Sequence, residues 1–85
     1  MNKPQVLFDL QAAHYELGEL IKKVENDVEH DGFPQFYALL PFVYRKLNLA
    51  WNTRDMSHEQ VFQLTDAECK MMCRFPEELA AFVSD

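Results

Sequence analysis

The residues best suited to chemistry are two cysteines, Cys69 and Cys73, which lie four positions apart. On a helix this spacing puts both thiols on one face, where two thiolates could begin a tetrahedral zinc site. Further ligands would have to come from His14 or His58, and the histidines are scattered along the chain. Apolar residues such as Met72 surround the pair, and free cysteine is among the most often buried residue types. We therefore expect reduced cysteines in the core, with no metal and no cofactor.

Acidic residues crowd the predicted carboxyl end of the first helix, at Glu25, Asp27, Glu29 and Asp31. The last three have the spacing of the first half of a calcium-binding EF-hand loop, but Ala38 stands where that loop needs a bidentate glutamate. The helix dipole disfavours negative charge at this end. Two interpretations remain open, a docking patch for a protein partner with a basic surface and a solvated, fraying helix end.

A second candidate patch combines aromatic and basic residues, namely Tyr44, Arg45, Lys46 and Arg54. Such interleaving is typical of proteins that bind single-stranded nucleic acid. The whole chain, however, carries a formal net charge of −6, which argues against general affinity for nucleic acid. We expect no nucleic-acid binding, and at most a small anion or peptide site at this patch.

No arrangement of residues typical of a catalytic site is present in the sequence. His14 has Leu10 and Gly18 as its neighbours four positions away, so no acid on the same helix face polarises its imidazole. The chain contains no H-E-x-x-H motif and no glycine-rich phosphate loop. We therefore predict no catalytic residues.

Helical periodicity dominates the segments that would position these side chains. Apolar residues recur at steps of three and four from position 6 to position 24, and Gly32 can end the run, which predicts a helix over about residues 5–30. Pro41 interrupts the next apolar segment, so a second helix either kinks or restarts there. The residues predicted to face the core are Val6, Leu10, Ala13, Leu17, Leu20 and Val24, and in the second helix Val43, Leu47, Ala50 and Trp51.

Two capping boxes, one from Ser57 to Gln60 and one from Thr65 to Glu68, announce further helix starts. They predict helices at about residues 58–64 and 66–74, with a third from Pro76. No segment alternates apolar and polar residues long enough for a strand. The predicted fold is all-α, a compact bundle of four to five helices with a long N-terminal helix, in one domain covering residues 1–85.

Composition limits the class of protein. The chain has 85 residues, of which 48% are hydrophobic, and only two are glycine, which excludes disorder. Two cysteines and the lack of a secretory signal at the start lead us to expect a cytoplasmic protein. Arg45 and Lys46 interrupt the longest apolar run well before about 18–20 residues accumulate, so we expect no membrane association.

The length of the first helix leads us to predict a homodimer. A 26-residue helix is about 39 Å long, whereas a compact domain of this size has a diameter of about 30 Å. Phe8 and Tyr15 also form an apolar row outside the main stripe. The predicted interface contains Leu7, Phe8, Leu10 and Tyr15. The function expected from the sequence is a small non-catalytic protein-interaction module. Its alternatives are an acidic regulator of a nucleic-acid-handling protein and an enzyme that depends on a metal held by cysteine and histidine.

Overall fold

Five helices account for the secondary structure that a computed structural model describes for residues 1–26 and 33–83. No strand occurs within these two ranges. The all-α fold with a long N-terminal helix is therefore confirmed. The helices are α1 (Lys3–Glu25), α2 (Phe33–Asn52), α3 (His58–Phe62), α4 (Asp66–Met72) and α5 (Glu77–Val83).

The first helix, α1, begins at a side-chain cap. The Asn2 side-chain oxygen accepts a hydrogen bond of 3.3 Å from the backbone N–H of Gln5, and Pro4 lies in the first turn, where a missing N–H is tolerated. The helix ends at Glu25, before the predicted end at about residue 30, and residues 27–32 lie outside the described residues. Its 23 residues span about 34 Å.

The second helix, α2, continues through Pro41 without a restart. The sequence left two possibilities at this proline, a kink or a new helix, and the prediction of a new helix is wrong. At the other end of the helix, the Thr53 hydroxyl donates a hydrogen bond of 2.7 Å to the carbonyl of Leu49. The same carbonyl also accepts the Thr53 backbone N–H at 3.0 Å, so the hydroxyl adds a second hydrogen bond at the last turn of α2.

Both predicted capping boxes are confirmed. The Gln60 N–H donates to Ser57 Oγ at 3.1 Å and the Ser57 N–H donates to Gln60 Oε1 at 2.7 Å. The Glu68 N–H donates to Thr65 Oγ1 at 3.2 Å and the Thr65 N–H donates to Glu68 Oε1 at 3.0 Å. Local sequence alone therefore determines where α3 and α4 begin.

Helices α1 and α2 pack as an antiparallel hairpin. Val24 of α1 lies beside Phe36 near one end, whereas Leu10 lies beside Ala50 near the other. Four hydrophobic residues among the described ranges are buried, and all lie on these two helices: Ala13, Leu20, Val43 and Ala50.

The predicted core is larger than the observed one. Leu10, Leu17, Val24 and Leu47 were expected to be buried but are between 40 and 51% exposed, so this part of the prediction is wrong. Each of two packed helices buries only the narrow stripe of side chains that faces the other helix, since the helix axes lie about 8–10 Å apart. The apolar stripe of α1 is wider than α2 alone can cover.

The shape of the molecule is elongated. Its radius of gyration is 14.9 Å, whereas about 12 Å is expected for a compact domain of this length. The principal extents are 45 × 31 × 23 Å. The short helices leave most of the hairpin's apolar side exposed, and only Leu79 of α5 reaches one end of it.

Candidate interaction surface

One side of the α1–α2 hairpin is an exposed apolar surface, here called the α1–α2 apolar face. Each of its side chains is between 39 and 51% exposed. Four come from each helix, and none is charged. The face consists of Leu10, Leu17, Ile21 and Val24 from α1 and Phe36, Leu40, Tyr44 and Leu47 from α2.

The α1–α2 apolar face is continuous along the hairpin. Leu40 lines a depression shared with α1 beside Leu17, and it also lines a second depression along α2 beside Tyr44. Leu47 lines this second depression and a third, which contains Leu10. These shared residues place the three depressions next to one another, and together they are called the groove of the hairpin.

The spacing within the α1–α2 apolar face is that of a helix-packing seam. Leu10, Leu17 and Val24 follow one another at intervals of seven, and so do Leu40 and Leu47. A seven-residue repeat keeps side chains aligned along the line where another helix packs, with each knob entering a hole on its neighbour. The face is thus shaped to receive helices.

A small-molecule site is a weaker interpretation of this groove. The depression along α2 has a volume of about 450 Å³ and is lined by Leu40, Pro41, Val43, Tyr44 and Leu47. These side chains carry a single polar group, the Tyr44 hydroxyl. Small-molecule sites of comparable volume orient their ligands with several convergent polar groups. Apolar side chains from another helix match this lining better.

The structure does not place the four residues of the predicted interface on one surface. Leu7, Phe8, Leu10 and Tyr15 are all exposed, but only Leu10 belongs to the α1–α2 apolar face. Phe8 lies two positions from Leu10, which corresponds to a rotation of about 200° around α1. The predicted contact remains a prediction, and the apolar face offers a second, larger surface.

A cluster formed by Trp51, Arg54 and Glu78 holds α5 at one end of this face. The Trp51 indole N–H donates a hydrogen bond of 2.6 Å to Glu78 Oε1. The Arg54 guanidinium lies 4.0 Å from the centre of the Trp51 ring and 3.7 Å from the Glu78 carboxylate. Leu79 of α5 lines the same depression as Leu10. This cluster was not predicted from the sequence, although the spacing of three between Trp51 and Arg54 is compatible with stacking of the guanidinium on the ring.

Two asparagines of α2 fix the position of α4. The Asn48 side-chain amide donates to the carbonyl of Cys73 at 3.1 Å. The Asn52 amide donates to the carbonyls of Met72 and Arg74 at 2.7 and 2.9 Å. These carbonyls lie at the C-terminal end of α4, where a helix cannot satisfy them itself. Neither asparagine is among the residues predicted to face the core, although Asn48 is buried, and no local signal identifies their partners.

The cysteines are free but are not in the core. Cys69 and Cys73 are both half-buried, so the expectation of core cysteines is corrected. The reason is that α4 packs mainly against α2, so that most of its residues face solvent. His14 and His58 are exposed. Within the described ranges, no group of three or more His, Cys, Asp or Glu is arranged to hold a metal ion.

The basic and aromatic residues of the second candidate patch are dispersed. Tyr44 belongs to the α1–α2 apolar face, whereas Arg45 and Lys46 line a separate depression with Phe42. The Lys46 ammonium lies 5.5 Å from the centre of the Phe42 ring. Arg54 is engaged at the far end of α2. These side chains do not form one surface.

The acidic patch falls largely outside the structural description. Glu25 is exposed at the end of α1. Asp27, Glu29 and Asp31 belong to the segment beyond the described residues. The predicted docking patch for a basic partner therefore remains a prediction.

Asp9 is a buried acid that the sequence analysis did not identify. Only 1% of the residue is exposed, and its carboxylate accepts one hydrogen bond of 3.4 Å from the Gln5 amide. Desolvation raises the pKa of this carboxyl group above its ordinary value, opposed by the Gln5 hydrogen bond and by the charge of Lys46. The spacing of Asp9, Ala13 and Leu20 is the signal that could have shown its burial, because the three share one helix face.

None of the described helices is both long enough and apolar enough to cross a bilayer. No protein-family model matches the chain, and neither a curated protein sequence nor a solved structure shows significant similarity to it.

Proposed function

We propose that the protein is a small non-catalytic protein-interaction module that acts as a homodimer. The observation that carries this proposal is the mismatch between its apolar content and its core. Hydrophobic residues make up 48% of the chain, yet among the described residues the largest fully buried side chains are those of Thr53 and Asp9, which are both polar. A chain of this size needs a dense apolar core or a partner to offset the entropy of folding.

The exposed area supports the same proposal. A monomeric protein of 10.0 kDa is expected to expose roughly 5,200 Å², and this chain exposes 6793 Å². The surplus is about 1,500 Å², which lies within the range that each subunit of an obligate homodimer buries, about 1,000–2,500 Å². A second copy of the chain could remove the whole surplus from water.

Light scattering on the purified protein tests the proposal. At tens of micromolar we expect a particle of twice the chain mass of 10.0 kDa. A particle with the mass of one chain at that concentration would contradict the proposal.

The salt dependence of the dissociation constant separates an apolar self-contact from a contact between opposite charges. Each copy carries a net charge of −6, so two copies repel each other at low ionic strength. Raising salt from about 20 mM to about 300 mM shortens the screening length and should tighten the dimer. A dimer that weakens over this range would instead depend on ion pairs between the copies and would argue against apolar association.

A further inference from the structure

We propose that two copies associate through their α1–α2 apolar faces and form a four-helix bundle. This inference rests on the proposed homodimer and names the surface that forms it. In the bundle, the hairpin of one copy covers the groove of the other, and the half-exposed leucines of both become core residues. Antiparallel helices joined in pairs commonly complete bundles of this kind.

The seven-residue repeats make this face complementary to itself. Leu10, Leu17 and Val24 on α1 and Leu40 and Leu47 on α2 present ridges with depressions between them. A second copy brings the same ridges at the same intervals, as a two-fold symmetric interface requires. Side chains that repeat every seven residues can then interdigitate along the length of the hairpin.

The α1–α2 apolar face offers a longer uncharged stretch than the other exposed apolar surface of α1. Its eight side chains are uncharged, and charged side chains line its depressions at the ends of the hairpin, Glu25 at one end and Arg54 at the other. The row of Phe8 and Tyr15 is shorter, since Lys22 follows Tyr15 at seven positions and lies 3.6 Å from Glu19. Packing a second copy against that row would desolvate charged groups, which opposes association.

Much of the exposed apolar area lies on this face. The α1–α2 apolar face carries eight of the 18 large hydrophobic side chains that are exposed among the described residues, so it accounts for part of the whole-molecule surplus of about 1,500 Å². Obligate homodimer interfaces bury apolar area of this kind and resemble a domain core cut in half. The four buried hydrophobic residues, Ala13, Leu20, Val43 and Ala50, lie on the same two helices and would continue into this shared core. A second copy is therefore the occupant that best fits the face.

Two paired variants test the surface by light scattering, at the protein concentration at which the parent chain is dimeric. Leu40→Glu with Leu47→Glu puts two charges on the α1–α2 apolar face and should halve the measured mass. Phe8→Glu with Tyr15→Glu adds the same charge to exposed apolar positions of α1 and should leave the mass unchanged. Far-ultraviolet circular dichroism establishes whether each variant keeps its helices.

Hydroxyl-radical footprinting on the unmodified chain gives an answer that does not depend on any variant folding. As the protein is concentrated from monomer to dimer, labelling of Leu40, Tyr44 and Leu47 should fall several-fold. Labelling of Tyr15 and Phe62, which lie outside the face, should stay constant. If Leu40→Glu with Leu47→Glu does not fold, this footprint decides the question.

The failures of the two proposals are distinguishable. A parent chain that stays monomeric overturns the homodimer itself. A dimer that survives Leu40→Glu with Leu47→Glu, or that protects Tyr15 in place of Leu40, leaves the homodimer in place and overturns the α1–α2 apolar face as its interface. Loss of the dimer only in Phe8→Glu with Tyr15→Glu would move the interface to the opposite side of α1.

Discussion

Asp9 shows how a single residue can set a pH dependence in this fold. The carboxyl group lies on the side of α1 that carries Ala13 and Leu20, and it is almost fully removed from water. Desolvation raises its pKa above the value in the unfolded chain. The folded state therefore binds this proton more tightly than the unfolded state does, and stability falls as the group ionises.

Asp9→Asn should accordingly raise the free energy of unfolding near pH 7, because it removes the desolvated charge and keeps an oxygen that can accept from Gln5. The stability that the protonated carboxyl group contributes is complete below about pH 4, the usual pKa of an aspartate, and is lost as pH rises through the raised pKa. The advantage of the variant should therefore shrink toward acid pH. Urea unfolding at several pH values measures it.

Glu59→Gln is the matched control for this prediction. It removes one negative charge from an exposed position in the first turn of α3, so it reports the effect of a lower net charge less the helix-dipole stabilisation of about 0.3–1 kcal/mol that this charge provides. Equal gains for both variants would mean that the burial of Asp9 contributes nothing to the difference.

At the scale of elements, local sequence accounts for the helices well. The caps at Asn2, Ser57 and Thr65 each rest on a hydrogen bond to a residue three positions away. The Glu68 carboxylate also accepts a hydrogen bond from the Thr65 backbone N–H, which lowers the pKa of Glu68. The contribution of this cap to stability is therefore complete above the ordinary glutamate pKa and is lost as pH falls through the lowered pKa. Interactions this short in sequence need no tertiary contact, which explains why the starts of α3 and α4 could be predicted.

Gly18 is the weak point of α1, and Gly18→Ala should stabilise the protein. A Cβ atom at this position would meet nothing within 4 Å, and glycine in a helix interior costs about 0.5–1 kcal/mol relative to alanine. For a domain of this size that gain corresponds to a rise in melting temperature of roughly 2–8 °C. Calorimetry at one fixed protein concentration measures it.

Gly18→Ser should give a smaller gain, since serine has a lower helix propensity than alanine. A loss of stability in Gly18→Ala would contradict the prediction, and it would show that another helix approaches the backbone of α1 at this point.

At the scale of the whole molecule, association is expected to add to the stability of the folded chain. Among the described residues of the hairpin only four hydrophobic side chains are buried, so apolar burial between copies would add substantially to the core. The melting temperature should then rise with protein concentration, because dimer formation stabilises the folded state by mass action. Calorimetric scans at concentrations about a hundredfold apart measure the shift. A melting temperature that does not change would contradict stabilisation by dimer formation.

The sequence by itself determined the class of fold, the long first helix and the starts of the short helices. These follow from the spacing of apolar residues and from capping side chains, and both act within a few positions along the chain. The sequence also predicts the apolar stripe of α1, including Leu10, Leu17 and Val24. It does not predict which part of this stripe the rest of the chain covers.

Only the tertiary structure decides which part of the α1 apolar stripe is buried and which part is exposed. This outcome depends on where α2 packs against α1 and on where the asparagines of α2 bind α4 relative to the hairpin's apolar side. Asn48 and Asn52 bind carbonyls 20 to 25 positions further along the chain, as Trp51 binds Glu78 at a distance of 27. Periodicity shows which residues form the apolar face of a helix, whereas the solvent exposure of that face depends on how distant elements pack. The α1–α2 apolar face is therefore a property of the fold and could not be separated from the core by sequence alone.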